Sequence, residues 1–206
     1  MCIKIFPFWH NNTKHGKKGG ENVKATGVVR RIDDLGRVVI PKEIRKTLRI
    51  KEGDPLEIFT DREGQVILKK YSPIGELTEF ATEYAETLSK TTGHIACITD
   101  KDTIIAVSGG AKKDYLEQNI SEELEQLMED KEIYTSTENS NVSMPITKND
   151  TSERKYNSQV VYPIISNGDT IGTVILLAKD ANVKMNEVET KVAQSAATFL
   201  GSQMEV

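Results

Sequence analysis

The stretch from Val23 to Tyr71 is the tightest constraint on what this chain can fold into. Its roughly 49 residues form short β-rich runs between turns, with few large apolar side chains and no cysteine or metal-ligand spacing. A segment of that size is marginal alone and usually needs a covalent staple, a metal or a partner chain. Because no staple is present, the sequence predicts an obligate dimer of intertwined copies.

Within this stretch, residues 26–32 form one expected strand, Asp33-Asp34-Leu35-Gly36 a turn, and residues 37–40 a second strand. Pro41 ends that strand and suits the first turn of a helix, where its missing N–H costs nothing. Residues 42–48 are expected to be a short helix with Ile44 and Leu48 on one face. A hairpin from residues 56–59 to 66–68 follows, turning through Asp61-Arg62-Glu63-Gly64.

Ser72-Pro73-Ile74-Gly75 marks a boundary, and the pattern beyond it changes. Ile74, Leu77, Phe80, Ala81, Tyr84, Ala85 and Leu88 recur at helical spacing up to Gly93. Strands are expected at 95–98 and 103–107, a helix at 115–128, and a polar loop at 139–158. Strands at 159–165 and 170–178 are joined by Ser166-Asn167-Gly168-Asp169, a strong hairpin signal. A last helix starts near Asn186, which can cap it with Glu189 at the third position. The order is that of an α+β domain over residues 73–206. Residues 1–22 have no period and are expected to be a disordered extension; His10 and His15 there lack the company a metal site needs.

Charge divides along the same boundary. The net charge is −4. Residues 1–72 carry 16 basic and 9 acidic side chains, a net +7, and residues 73–206 carry 11 and 22, a net −11. The basic excess is densest between Arg30 and Lys51, where Arg30, Arg31, Arg37, Lys42, Arg45, Lys46, Arg49 and Lys51 face only Asp33, Asp34 and Glu43. Guanidinium groups grip phosphate oxygens bidentately and read guanine edges, so an arginine-rich turn and helix in an acidic chain point to DNA. A solvated charged face is the alternative.

The run Gly27-Val28-Val29-Arg30-Arg31-Ile32-Asp33-Asp34-Leu35-Gly36-Arg37-Val38-Val39-Ile40-Pro41, continuing through Glu43-Ile44-Arg45, resembles the AbrB-type swapped-hairpin DNA-binding domain of bacterial transition-state regulators. The C-terminal half resembles a GAF domain, best seen at residues 162–165 and 168–174, and the chain from Val23 onward looks like a member of the stage V sporulation protein T family of spore-forming bacteria. The resemblance implies an N-terminal swapped-hairpin barrel, dimeric and β-rich, over residues 23–72, followed by a GAF-like α+β domain. It places DNA contacts at Arg30, Arg37, Arg45 and Lys46, with Arg31 close by. Where the family often has a further arginine, Lys46 keeps the charge without the planar fork. The family usually starts with a Met-Lys pair where this chain has Val23-Lys24, so translation is expected to begin at Val23 from a GTG codon; the alternative is a genuine, disordered and mildly basic tail that adds nonspecific phosphate contacts.

For the acidic half, Cys97, Ser108-Gly109-Gly110, Tyr134, Tyr156 and Tyr162 are candidates to line a small-molecule space; the competing assignment is core and turn. Lys112 and Lys113 could complete an anion-binding turn at the glycine pair. No Walker loop, zinc spacing or nucleophile elbow is present, and Cys97 lacks a resolving partner, so no enzyme activity, metal or cofactor is expected. The helical stripes at 74–88 and 188–199 suit oligomerisation. The expected protein is a sporulation regulator: a homotetramer, or dimer of dimers, on double-stranded DNA. Its GAF-like half would assemble the chains and possess a role in sensing a small molecule. An antitoxin and a ligand-binding signalling module are the alternatives. No apolar run approaches the roughly 20 residues that span a bilayer. Two cysteines, Cys2 and Cys97, fit a reducing cytoplasm, and the resemblance implies the forespore nucleoid.

Overall fold

The computed structural model describes residues 3–5, 28–60, 62, 64–74, 78–136, 143–150, 156–180 and 182–204. The chain divides into two compact units, residues 1–71 and 72–206.

In the first unit, strands β2 (Leu56–Thr60) and β3 (Val66–Lys70) form an antiparallel hairpin. Strand β1 (Ile3–Ile5) runs parallel to β3 on its other edge, so the expected disordered extension contributes a strand at these three residues. The remainder of that extension, and Thr26 and Gly27 of the first expected strand, lie outside the described residues. Helix α1 (Lys42–Thr47) follows Pro41 as expected. It closes on Arg49, whose left-handed backbone (φ 52°) lets Ile50 N–H donate to Arg45 O at 2.8 Å and Arg49 N–H to Lys46 O at 3.3 Å. That pair is a Schellman ending with arginine where glycine is usual.

The two strands expected on either side of residues 33–36 do not form within the single chain: 28–33 and 37–40 pair with no strand among the described residues. The barrel of exchanged hairpins is therefore absent from one copy. A strand is made by its neighbour, and here the apolar residues that should face one are in solvent: Val29 is 84%, Leu35 70% and Val39 70% exposed.

The second unit buries its apolar residues on both faces of one sheet. Helix α2 (Thr78–Thr92) ends at Gly93, whose φ of 74° breaks the helix. Strands β4 (Ile95–Thr99) and β5 (Ile104–Ser108) follow as a hairpin. The helix expected at 115–128 is instead two pieces, α3 (Lys112–Tyr115) and α4 (Glu122–Asp130). Two local features divide them. Glu117 is left-handed (φ 63°), and the Ser121 hydroxyl accepts from Leu124 N–H at 3.1 Å, starting a new helix. Between them, Asn119 and Ile120 bridge to Thr103 and Thr147 as extended backbone.

Short strand β6 (Tyr134–Thr135) then precedes the long hairpin of β7 (Ser158–Ser166) and β8 (Asp169–Ala178). Of the polar loop expected at 139–158, the described parts contain no helix or strand before Ser158. Helix α5 (Glu187–Ser202) starts on the expected box: Asn186 Oδ1 accepts from Val188 N–H at 2.8 Å, and Glu189 Oε2 from Asn186 N–H at 2.7 Å.

All neighbours in the sheet order β5-β4-β8-β7-β6 are antiparallel. Alternation sorts its side chains into two cores. Ala96, Ile98, Val174 and Leu176 join Ala81, Ala85 and Leu88 of α2 and Ala193, Ala197 and Leu200 of α5. Cys97, Ile175 and Leu177 face the other way, against Tyr115, Leu124 and Met128. Ile74 is buried in the first core, and the Ser72 hydroxyl donates to buried Asp100 at 3.2 Å, so the chain enters this unit already anchored. Burial raises the Asp100 carboxyl above its ordinary range, against the N–H bonds from Asp102 and Thr103.

Small residues let α5 approach the sheet. A methyl added at Gly201 would overlap Ile165 O. Gly201→Ala should therefore lower stability by about 1–3 kcal/mol, measured by urea denaturation; unchanged stability would mean that the contact relaxes freely.

Candidate nucleic-acid interface

The five basic residues expected to contact DNA lie on one loop and one short helix: Arg30, Arg31 and Arg37 within residues 28–40, and Arg45 and Lys46 on α1. The loop is closed by Asp33 N–H donating to Arg37 O and Gly36 N–H donating to Asp33 O, both at 3.0 Å. Gly36 supplies the positive φ of 77° that the turn requires. This closure sets Arg37 at the foot of the loop, with Arg30 and Arg31 on the segment leading into it.

Arg30, Arg31 and Arg37 are all exposed. Among the described residues Arg30 makes one long hydrogen bond, 3.4 Å, from its guanidinium to Val29 O. Arg37 is held more firmly: its Nε donates to Asp33 Oδ2 at 2.8 Å, while the side chain remains 69% exposed. On α1, Arg45 and Lys46 are consecutive and so diverge by about 100° around the axis. Lys46 is exposed; Arg45 is half-buried, with its Nε enclosed and without a partner among the described residues. Both sit in the last turn of α1, where cations oppose the negative end of the helix dipole. No hydrogen bond or ion pair among the described residues links the loop arginines to the α1 pair.

A base outside that sequence cluster has a structural role. Lys70 Nζ pairs with Asp54 at 3.4 Å and donates to Arg49 O at 3.2 Å, tying β3 to the end of α1. The important omission in the sequence reading is Asp33, which counted there only as an opposing charge. Its signal is an acid opening an Asp-Asp-Leu-Gly turn four residues before an arginine.

In the second unit the candidate ligand-lining residues do not converge. Cys97 and Tyr156 are fully buried on the α3/α4 side of the sheet with Tyr134 packed beside them, but Tyr162 packs on the opposite side, against α2 and α5. Strand alternation separates Tyr162 from Val161 of the first group. Tyr156 donates to Asp150 Oδ2 at 3.3 Å, and burial, then the Tyr115 hydroxyl, push its own hydroxyl far above the ordinary tyrosine range. Gly109 packs under Ser89 Oγ and His94 O, and Gly110 against Ile95 and the Tyr115 ring, so the glycine pair serves close packing. Lys112 and Lys113 are exposed on α3. His94 follows the end of α2 and lies 3.8 Å from Glu189 of α5. Among the described residues no His, Cys, Asp and Glu cluster could hold a metal, and no helix is long and apolar enough to cross a membrane.

Both units match known proteins. Residues 76–205 match the family model "Stage V sporulation protein T C-terminal, transcription factor", and residues 29–76 match "Antidote-toxin recognition MazE, bacterial antitoxin". Stage V sporulation protein T of Bacillus subtilis (strain 168) is 55% identical over 183 residues, 89% of this chain and 99% of that protein. The transition state regulatory protein AbrB of the same organism is 61% identical over 51 residues, 25% of this chain and 52% of AbrB. A fragment of a methyl-accepting chemotaxis protein, residues 122 to 287, has a TM-score of 0.51 at 17% identity and covers 62% of this chain and 88% of the fragment, a likeness of fold.

The Asp33–Arg37 contact has a titration signature. Backbone N–H donation from Arg37, then its guanidinium, holds the Asp33 carboxyl below its ordinary 3.8. A carboxyl depressed in this way stabilises the closed loop above its unfolded pKa and loses that contribution as pH falls through the folded value. The NMR titration midpoint of Asp33 should lie below 3.8 and rise in Arg37→Ala; an unmoved midpoint would contradict the contact.

Proposed function

The chain belongs to the stage V sporulation protein T family, and from that membership we propose that it regulates sporulation genes by binding double-stranded DNA through paired arginine-bearing heads. The observation that carries this is Arg37, standing 69% exposed at the foot of a closed loop with its terminal nitrogens turned to no protein acceptor among the described residues. Arg30 and Arg31 on the same loop, and Arg45 and Lys46 on α1, complete the set. Lys46 is assigned to phosphate, since a lysine cannot make the bidentate base contact of an arginine.

One copy is half of a head. Val29, Leu35 and Val39 stand in water, and exchange of the 26–40 hairpins between two chains covers them and gives each strand a neighbour. The same exchange doubles the basic residues on one assembly.

The second unit carries a face suited to joining such dimers. Phe80 and Tyr84 of α2 stack at 6.0 Å, and Phe199 of α5 meets Tyr84 at 5.6 Å and Phe80 at 5.9 Å. Phe199 is 41% exposed, and Val188 on the same helix is also exposed. Burying this aromatic group between copies makes a tetramer with two heads, and tethered heads gain avidity through effective concentration without a new contact. The α3/α4 side of the sheet, with Tyr115, Tyr156 and Asp150, is the place we assign to any small-molecule response. The site of action is the cytoplasmic nucleoid, in the forespore.

An antitoxin reading takes its support from the match over residues 29–76. Antitoxins of that type append a short toxin-clamping tail, whereas residues 72–206 here are a compact folded unit.

Affinity for duplex DNA should fall steeply with salt, with a log–log slope of about −0.9 per phosphate contact. Arg37→Ala and Arg45→Ala should each cost about 1–3 kcal/mol of binding; a flat salt response, or unchanged affinity in both variants, would refute the DNA assignment. Phe199→Glu in the full chain should halve the native mass, whereas an unchanged mass would remove the helices from assembly.

A further inference from the structure

Resting on the assignment of Arg37 to DNA, we infer that Asp33 is a positioning residue for recognition: its carboxylate holds the Arg37 guanidinium by Nε and leaves both terminal nitrogens facing a nucleic-acid acceptor. The carboxylate is itself immobilised. Asp33 Oδ1 accepts from the backbone N–H of Arg37 at 2.7 Å and of Leu35 at 3.0 Å, and Oδ2 accepts from Arg37 Nε at 2.8 Å. Backbone bonds from Asp33 N–H to Arg37 O and from Gly36 N–H to Asp33 O close the same loop, both at 3.0 Å. The guanidinium is thus attached to a group that the loop has already fixed.

Which nitrogen is used decides what the contact does. A carboxylate across the two terminal nitrogens would occupy the fork that grips a phosphate, or O6 and N7 of a guanine, bidentately. Contact through Nε alone leaves the four terminal N–H donors available. Among the described residues none of them has a protein acceptor. A long, flexible side chain is thereby ordered before DNA arrives, which lowers the entropy lost on binding.

The same carboxylate has an opposing effect. Its negative charge weakens the pull of Arg37 on phosphates, which acts on any sequence. Orientation matters most for base edges, which differ between sequences. Asp33 therefore weakens sequence-blind binding while sharpening discrimination, and the two effects can be separated by measurement.

The test uses the full chain and two duplexes of equal length and composition, one selected by the wild-type protein from a randomised pool and one scrambled. Asp33→Asn keeps an amide oxygen for the Leu35 and Arg37 N–H groups but removes the charge that holds Nε. It should lose about tenfold in affinity for the selected duplex and bind the scrambled one as tightly as wild type or more so. Added to Arg37→Ala, it should produce no further loss on the selected duplex. Equal tightening on both duplexes would make Asp33 a merely repulsive charge and overturn the proposal. Equal weakening on both, a loss that persists in the Arg37→Ala background, or no change on either would also overturn it. A wild-type chain that captures no duplex from the pool would instead remove the DNA assignment itself, and the role of Asp33 with it.

Discussion

The first unit cannot hide its own apolar residues, and the remaining organisation follows from that shortage. Residues 28–40 place Val29, Leu35 and Val39 in solvent, and Ile58 on β2 is exposed as well. The hairpin of β2 and β3 and the six-residue α1 offer too little surface to cover them. Exposed apolar residues on strands without neighbours invite pairing with another chain. Where that chain is a second copy, pairing fixes the loop and helix that carry Arg30, Arg37 and Arg45. Folding of the head and construction of its binding surface are then one event.

The second unit meets the opposite condition. Strand β8 is buried along nearly its whole length because helices lie on both sides of the sheet, and its alternating residues serve two cores. Such a unit needs no partner to fold. Its aromatic group is half-buried at Phe80 and Tyr84 and exposed at Phe199.

How legible each part was depends on where its determinants lie. The hairpin at 166–169 was readable because Asn167 and Gly168 both take positive φ, 50° and 85°, which those residue types tolerate. The start of α5 was readable because Asn186 and Glu189 make a reciprocal local box. Apolar periodicity carried the expected 115–128 helix through a break; the periodic residues Leu116 and Ile120 belong to extended or turning backbone between α3 and α4. The strands expected at 26–32 and 37–40 rest on apolar patterning alone, and their described residues pair with no strand in the single chain. The basic cluster was legible as composition. The Asp33 contact was not, because a charge count sets an acid against its neighbouring arginine and cannot tell opposition from support.

The most direct measurement of the central claim, that two chains build one DNA-reading head, is native mass spectrometry of the protein on a duplex carrying a single site. Complexes containing two or four chains per duplex are expected, with no species of one chain, because a lone copy leaves its strands unpaired. A stable complex of one chain on one duplex, persisting as protein is diluted, would contradict it.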